Sequence, residues 1–281
     1  MSGPEPSTRE LAAMTRELER IARGAGALIM RGFRARGAVS KKGAIDLVTE
    51  YDLASEAMLI EELARTLPEV EVIAEESQGK RAIDRNDGAL RCFVDPIDGT
   101  TNFAHGHPFF CVALGLCRGA VPIAGVIFAP ALDICWAGSR ALGATRNGAA
   151  CRVSESASLG DALCATGFGY DVVGCGDDDN VREFRAVQGH TRGVRRCGAA
   201  AIDLALVADG TYDAYWEYML QPWDLAAGAA LVDAAGGRTS DFDGGPLDVQ
   251  RGAVVASNGK VHDALRDVLH EVRGGRPVPM R

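Results

Sequence analysis

Long apolar runs, an excess of basic residues and paired cysteines are all missing from this 281-residue chain, and each absence removes a class of function. No segment supplies the roughly 20 consecutive apolar residues of a membrane-spanning helix. The start, Met1 to Glu10, has no basic stretch followed by an apolar one, so no signal peptide is expected and the chain reads as cytoplasmic. With a net charge of −8 it lacks the basic face of a nucleic-acid binder. An anionic substrate stays open, because bound metal ions can invert a local field. Eight cysteines are scattered without a C-x-x-C pair. They read as reduced thiols rather than a disulfide or zinc framework. Neither internal repeats nor low-complexity segments occur. What is there, 47% hydrophobic and 24% charged residues, is ordinary globular composition and enough for a sizeable core.

Periodicity divides the chain. Leu11, Met14, Leu18, Ile21, Ala25, Leu28 and Ile29 recur at helical spacing and predict an amphipathic helix from Ser7 to Phe33. Residues 34–43 read as a basic, glycine-punctuated turn or hairpin, from which Arg34, Arg36, Lys41 and Lys42 can approach an anionic site. Leu53, Ala57, Ile60, Ala64 and Leu67 mark a second helix, stopped by Pro68. Strands are expected at 70–74 and at 91–94, the latter ending at Asp95-Pro96, and a short helix opens at Thr100. Apolar strands at 110–117 and 123–129 join at Arg118-Gly119, and strands at 134–137 and 144–146 lead to the hairpin signal Asn147-Gly148. Strands at 163–166, 214–217 and 254–256 then alternate with helices at 181–189, 200–208, 224–235 and 262–272. The helix from Asp224 is closed by Gly236-Gly237, and the tail from Arg273 is expected to fray. The class is α+β, with an N-terminal half over 1–147 and a C-terminal α/β half over 148–281.

Four segments carry the chemistry: Asp46-Leu-Val-Thr-Glu-Tyr-Asp52, Val72-Ile-Ala-Glu-Glu-Ser77, Asp95-Pro-Ile-Asp-Gly-Thr-Thr-Asn-Phe103 and Pro222-Trp-Asp224. In the third, a strand ends at Asp95 and Asp98 lies three residues on, so both carboxylates can face one point beyond the strand's carboxyl end, where α/β sheets bind ligands. Gly99 permits close backbone approach, and the Gly99 and Thr100 amides can meet a phosphate. Two carboxylates this close repel unless a cation lies between them. Glu75 and Asp224 complete an all-oxygen shell that suits magnesium or manganese better than zinc. Asp-Gly alone is an ordinary turn and Asp224 alone a helix cap. The ordered set Asp52, Glu75, Asp95, Asp98, Gly99, Thr100 and Asp224 is much harder to explain as capping. His105-Gly-His107 reads as loop packing before metal ligation, and Gly176 to Asp179 as a solvated loop.

These segments resemble the inositol monophosphatase family. Asp95 to Phe103 is similar to its central signature, and Trp223-Asp-Leu-Ala-Ala-Gly228 with Gly236-Gly237 to its C-terminal one. The resemblance runs from about Leu11 to Leu269. It implies a layered αβαβα sandwich related to fructose-1,6-bisphosphatase, a homodimer, and lithium-sensitive, magnesium-dependent hydrolysis of a phosphate monoester by attack of metal-bound water. Glu75, Asp95 and the Ile97 carbonyl would hold one magnesium, and Asp95, Asp98 and Asp224 a second, with a third, weaker ion near Glu75. Asp52 with Thr100 would position the water, and the Gly99 and Thr100 amides would grip phosphate. Gly198, Ala199, Ala200 and Glu217 would face the alcohol. Ala74 and Ala199 stand where many members have glycine and Ser or Thr, and Ala199 removes a hydroxyl beside the substrate.

Glu217 is an acceptor for polyol hydroxyls, and no basic residue occurs within 198–200 or 215–223 to hold a second phosphate. Inositol 1-phosphate is therefore the first choice of substrate. Histidinol phosphate, fructose 1,6-bisphosphate and 3′-phosphoadenosine 5′-phosphate are rivals on the same scaffold, and a protein-binding role in transcription is the rival of another class. The spacing Asp-x-x-Asp, followed by Gly-Thr, does not fit the haloacid-type phosphatases, whose nucleophile lies in Asp-x-Asp.

Overall fold

The computed structural model describes residues 5–34, 39–41, 47–78, 84, 87–169 and 179–279. In chain order its elements are α1 (Thr8–Ile29), β1 (Val39–Lys41), β2 (Leu47–Thr49), α2 (Glu50–Thr66), β3 (Glu71–Ala74), α3 (Glu75–Gln78), β4 (Leu90–Asp98), α4 (Thr100–Ala104), β5 (Cys111–Arg118), β6 (Val121–Ala129), β7 (Ile134–Ser139), β8 (Gly143–Arg146) and β9 (Ala149–Cys151). There follow β10 (Leu163–Thr166), α5 (Val181–His190), β11 (Gly193–Arg195), α6 (Ala200–Ala208), β12 (Ala214–Tyr218), α7 (Pro222–Ala234), β13 (Arg238–Ser240), β14 (Ala253–Ser257) and α8 (His262–Arg273).

Strands β3 to β9 form a seven-stranded sheet in sequence order, parallel only between β3 and β4, and the second sheet has the order β11-β10-β12-β14-β13. Alternation along β4 sorts the layers, because successive strand residues face opposite sides. Cys92 and Val94 pack with Leu18, Ile21, Leu59 and Leu63 of α1 and α2. Phe93 between them packs with Ile202 of α6 and Leu225 of α7. The second sheet repeats the pattern: Tyr215 joins the α6/α7 core, whereas Trp216 joins Leu265 and Leu269 of α8. The order of layers is thus helices, sheet, helices, sheet, helices, the expected αβαβα sandwich. The Asn147-Gly148 turn, both residues at positive φ, joins β8 to β9, so the first sheet runs on to Cys151.

The middle helices need small residues. A Cβ at Gly115 would lie 2.4 Å from Ala226 Cβ, and one at its cross-strand partner Gly125 would lie 2.1 Å from the Ala227 carbonyl. A Cβ at Gly228 would meet Leu204 of α6 at 2.4 Å. The small-residue run in α7 therefore lets its backbone rest on two glycines of the sheet.

Several expectations are corrected. The strand expected to end at Val94 continues to Asp98 through a bulge between Asp95 and Asp98, which accommodates Pro96. Helix α2 forms, but its predicted stripe is misplaced: Leu53 is 56% exposed, while Asp52, Ser55, Glu56, Leu59 and Leu63 are buried. The tail is packed through Val278, with Arg276 N donating to the Arg273 carbonyl and Val278 against the α8 core. Helix α7 begins at Pro222, so Asp224 sits in its first turn rather than at its start. The 34–43 segment contributes β1, antiparallel to β2; Arg36, Lys42 and Asp46 lie outside the described residues, as do 176–178. Among the described residues no helix is long and apolar enough to cross a membrane.

Candidate active site

The carboxyl ends of β3 and β4 and the N-termini of α6 and α7 border one cleft of about 620 Å3, measured out to its mouth. One wall carries Glu75, Asp95, Ile97, Asp98, Gly99 and Thr100, with Asp224. The other carries Gly198, Ala199, Ala200 and Glu217, together with Gly167, Phe168, Arg196, Asp203 and Leu220. The predicted residues are therefore brought together, except that Asp52 stands behind Thr100 and does not line the cleft.

Backbone amides hold three of the carboxylates. Asp95 is buried, and its Oδ1 accepts from Ile97 N at 3.0 Å. Asp98 Oδ2 accepts from Ala201 N at 2.7 Å, so the start of α6 docks on a side chain from the other sheet. Ala199 supplies no side-chain cap to α6, which leaves that first-turn amide to Asp98. Asp224 Oδ2 accepts from Gln221 N at 2.7 Å, closing a capping box. Gly99, at φ +92, has the Phe109 carbonyl 3.0 Å from where a Cβ would be, so only glycine fits without strain. Asn102 Nδ2 donates to the carbonyls of Phe109 and Cys197, tying α4 to the loop before α6.

The buried polar face of α2 explains its displaced stripe. Asp52 Oδ1 accepts from Thr100 Oγ1 at 3.1 Å while its Oδ2 accepts from Thr49 N, and Thr100 Oγ1 also lies 3.1 Å from the Ile97 carbonyl. Ser55 Oγ donates to the Pro96 carbonyl, and Glu56 Oε2 accepts from Glu76 N. Polar residues under the site have taken the place of apolar ones.

Burial pushes the Asp95 carboxyl well above the ordinary range, and the charges of Glu75, Asp98, Asp224 and Asp52 add to it. Asp98 is pushed up to about 7 by burial, against the opposing Ala201 amide. Burial raises Asp52 as well. A cation in the cleft would relieve this repulsion, and the donors are all hard oxygens, the set that magnesium prefers. As they stand, no three His, Cys, Asp or Glu side chains among the described residues are arranged to hold a metal ion. The donor chemistry fits a divalent ion.

Five lining residues, Gly167, Phe168, Arg196, Asp203 and Leu220, were not expected from the sequence. Arg196 brings a guanidinium to a wall that the sequence reading gave no positive charge, because it lies two residues outside the segment inspected. Asp203 is fully buried one turn into α6. Phe168 and Gly167 follow β10, and a Cβ at Gly167 would collide with the Glu217 carboxylate at 2.1 Å. Only the i, i+3 relation of Asp203 to Ala200 could have signalled any of them. Tyr215 Oη donates to Glu217 Oε2, and burial pushes Glu217 up to about 7 despite that bond. His105 and His107 are exposed and line nothing in the cleft, and the Arg34 guanidinium lies over the Phe33 ring rather than at the site. Among the described residues seven cysteines are free, and Cys111 lies against Asp98.

The sequence profile of the inositol monophosphatase family matches residues 10–273. An inositol-1-monophosphatase from Synechocystis is 43% identical over 232 residues, covering 82% of this chain and 79% of that protein. A Pseudomonas aeruginosa protein named Nus factor SuhB is 42% identical, covering 88% and 92%. The solved inositol monophosphatase from Anabaena superposes with a TM-score of 0.83 at 38% identity, covering 96% and 98%. With this fold and this carboxylate cleft, the chain belongs to the inositol monophosphatase family and is a phosphatase of phosphate monoesters.

Proposed function

We propose that this phosphatase hydrolyses inositol 1-phosphate, or a closely related ring-polyol monophosphate, with magnesium. The observation that carries the reading is one cleft with Glu75, Asp95, Asp98 and Asp224 on its phosphate side and Glu217 on its alcohol side. Glu75, Asp95 and the Ile97 carbonyl would hold one ion and Asp95, Asp98 and Asp224 a second, with a third near Glu75. When bound, magnesium polarises water and phosphoryl oxygens as a Lewis acid. Thr100, held by Asp52, orients the attacking water with Glu75, and the Gly99 and Thr100 amides grip the phosphate. Gly198, Ala199 and Ala200 shape the leaving-group side. Glu217 accepts from a ring hydroxyl. Against the single Arg196, two carboxylates on this wall, Asp203 and Glu217, disfavour a second phosphate.

Names among the relatives support inositol phosphate. The free cysteines are consistent with the cytoplasm. Lithium inhibition and a homodimer follow from the family resemblance. The test is phosphate release over a panel of monoesters with magnesium. Inositol 1-phosphate should have the highest kcat/KM, above histidinol phosphate and both bisphosphates, and EDTA should abolish turnover until magnesium is restored. A bisphosphate as best substrate, or turnover in excess EDTA, would overturn the proposal. The relative named Nus factor SuhB favours a second reading, a protein-binding role beside the enzyme. A partner captured equally by wild type and by an inactive Asp95→Asn variant would establish it.

A further inference from the structure

Asp203 is a carboxylate that the reaction scheme above does not use. It sits in the first turn of α6, lines the cleft beside Glu217 and Arg196, and is 1% exposed. Its Oδ1 is buried without a hydrogen-bond partner among the described residues. Buried polar atoms are paired with few exceptions, and an exception at a ligand cleft needs a cause.

Nothing in the fold supplies one. The Asp203 amide already donates to the Ala199 carbonyl, so the backbone of the turn is complete without the side chain. Along α6 its neighbours are apolar or small, and the polar groups of Tyr212, Tyr215 and Cys197 around it give its Oδ1 no hydrogen bond. Burial first, and then the charges of Glu217 and Asp98, hold its carboxyl well above the ordinary range, and only Arg196 opposes them. A residue kept for stability would not be an unpaired carboxylate among carboxylates; an alcohol bearing hydrogen-bond donors would pair it.

We propose that Asp203 is a specificity-determining residue whose buried Oδ1 accepts a hydrogen bond from a donor on the alcohol portion of the substrate, on the same wall as Glu217. The proposal rests on the phosphatase reading of this cleft and adds the second acceptor of its alcohol wall. A substrate with no donor beyond its phosphate leaves Oδ1 unpaired and gains nothing from Asp203. Sites built to hydrogen-bond a substrate group reject analogues that lack it more strongly than apolar pockets reject a size change.

The test uses the full chain with magnesium and compares inositol 1-phosphate with p-nitrophenyl phosphate, whose activated leaving group carries no hydroxyl. Asp203→Leu keeps the volume, and Asp203→Ala suits the helix should leucine fail to seat. In either variant the ratio of kcat/KM, inositol 1-phosphate over p-nitrophenyl phosphate, should fall about ten-fold or more. The thermal midpoint of Asp203→Leu should not fall, because the oxygen removed was unpaired. An unchanged ratio, or a parallel loss on both substrates with a lower midpoint, overturns the proposal. Histidinol phosphate separates the two donor sources. A larger loss on it than on inositol 1-phosphate keeps Asp203 as the acceptor but assigns the donor to an ammonium, and it is the inositol reading that fails.

Discussion

The two walls of the cleft are built differently. On the side proposed to take the phosphate, Asp95, Ile97, Asp98, Gly99 and Thr100 come from six consecutive positions, Glu75 and Asp224 join them, and Asp95, Asp98 and Asp224 each accept from a backbone amide. On the alcohol side Gly167, Arg196, Asp203 and Glu217 come from three separate stretches and meet only through the second sheet and α6. The first wall is built around one short stretch, which suits groups proposed to meet a small, invariant phosphate. The second is fixed by packing, so one substitution can change the alcohol without disturbing the chemistry.

The strongest way to break this comparison is Asp95→Asn. It removes a carboxylate at the centre of the phosphate wall yet relieves repulsion in the empty protein. Activity on every substrate should fall at least about 100-fold, since even residues one step behind a metal ligand cost 10- to 100-fold when changed. Circular dichroism and the thermal midpoint should stay at or above wild type. Selective loss on one substrate alone would mean the walls are not functionally separate.

Gly167→Ala sharpens the contrast from the other side. The added methyl occupies the place of the Glu217 carboxylate, which must swing away from Tyr215. The preference for inositol 1-phosphate over p-nitrophenyl phosphate should shrink about ten-fold, the worth of one charged hydrogen bond. A uniform loss would instead make Gly167 a residue of the phosphate wall.

Smallest is an effect outside the cleft, where burial acts in the opposite direction. His262 lies between Ser240 and Ser257, and burial lowers it to about 4 from an ordinary 6.5, with Arg238 also lowering it and Asp263 opposing. Its folded pKa lies below its unfolded one, so the unfolded chain takes up the proton first. The stabilisation is complete above about pH 6.5 and is lost as pH falls toward 4. Between pH 6.5 and 5.5 the loss from this residue should be about 1 kcal/mol. Urea titrations should show the stability difference between wild type and His262→Gln shrinking by that amount. A constant difference would mean that folding leaves the His262 pKa unchanged.

This division also decides what could be read from the chain. The phosphate wall and the layered architecture were legible because Asp95 to Phe103 packs strand end, turn and helix start into nine residues, and because the apolar periods of α1, β5 and β6 are long. Helix α2 misled for a physical reason. Asp52, Ser55 and Glu56 are buried to serve Thr100, Pro96 and Glu76, and a pattern based on apolar residues cannot see a buried polar face. The end of β4 was read too short because proline normally stops a strand, and the bulge that tolerates it is set by pairing with β5. Arg196 was invisible because nothing local marks it, and Asp203 carried only its i, i+3 relation to Ala200; both reach the cleft through the tertiary fold.

That approach has a kinetic consequence. The bond from Ala201 to Asp98 joins residues 103 apart in sequence, and Asn102 reaches Cys197 across 95. Closing loops of that length is slow and comes late, after local helices and hairpins have formed. A chain with only its first sheet assembled would hold Asp95 and Asp98 without the amide that seats Asp98, and without Asp224 or Glu217. During refolding, recovery of turnover should therefore lag behind recovery of helical signal, making catalysis a clock for the docking of the two sheets.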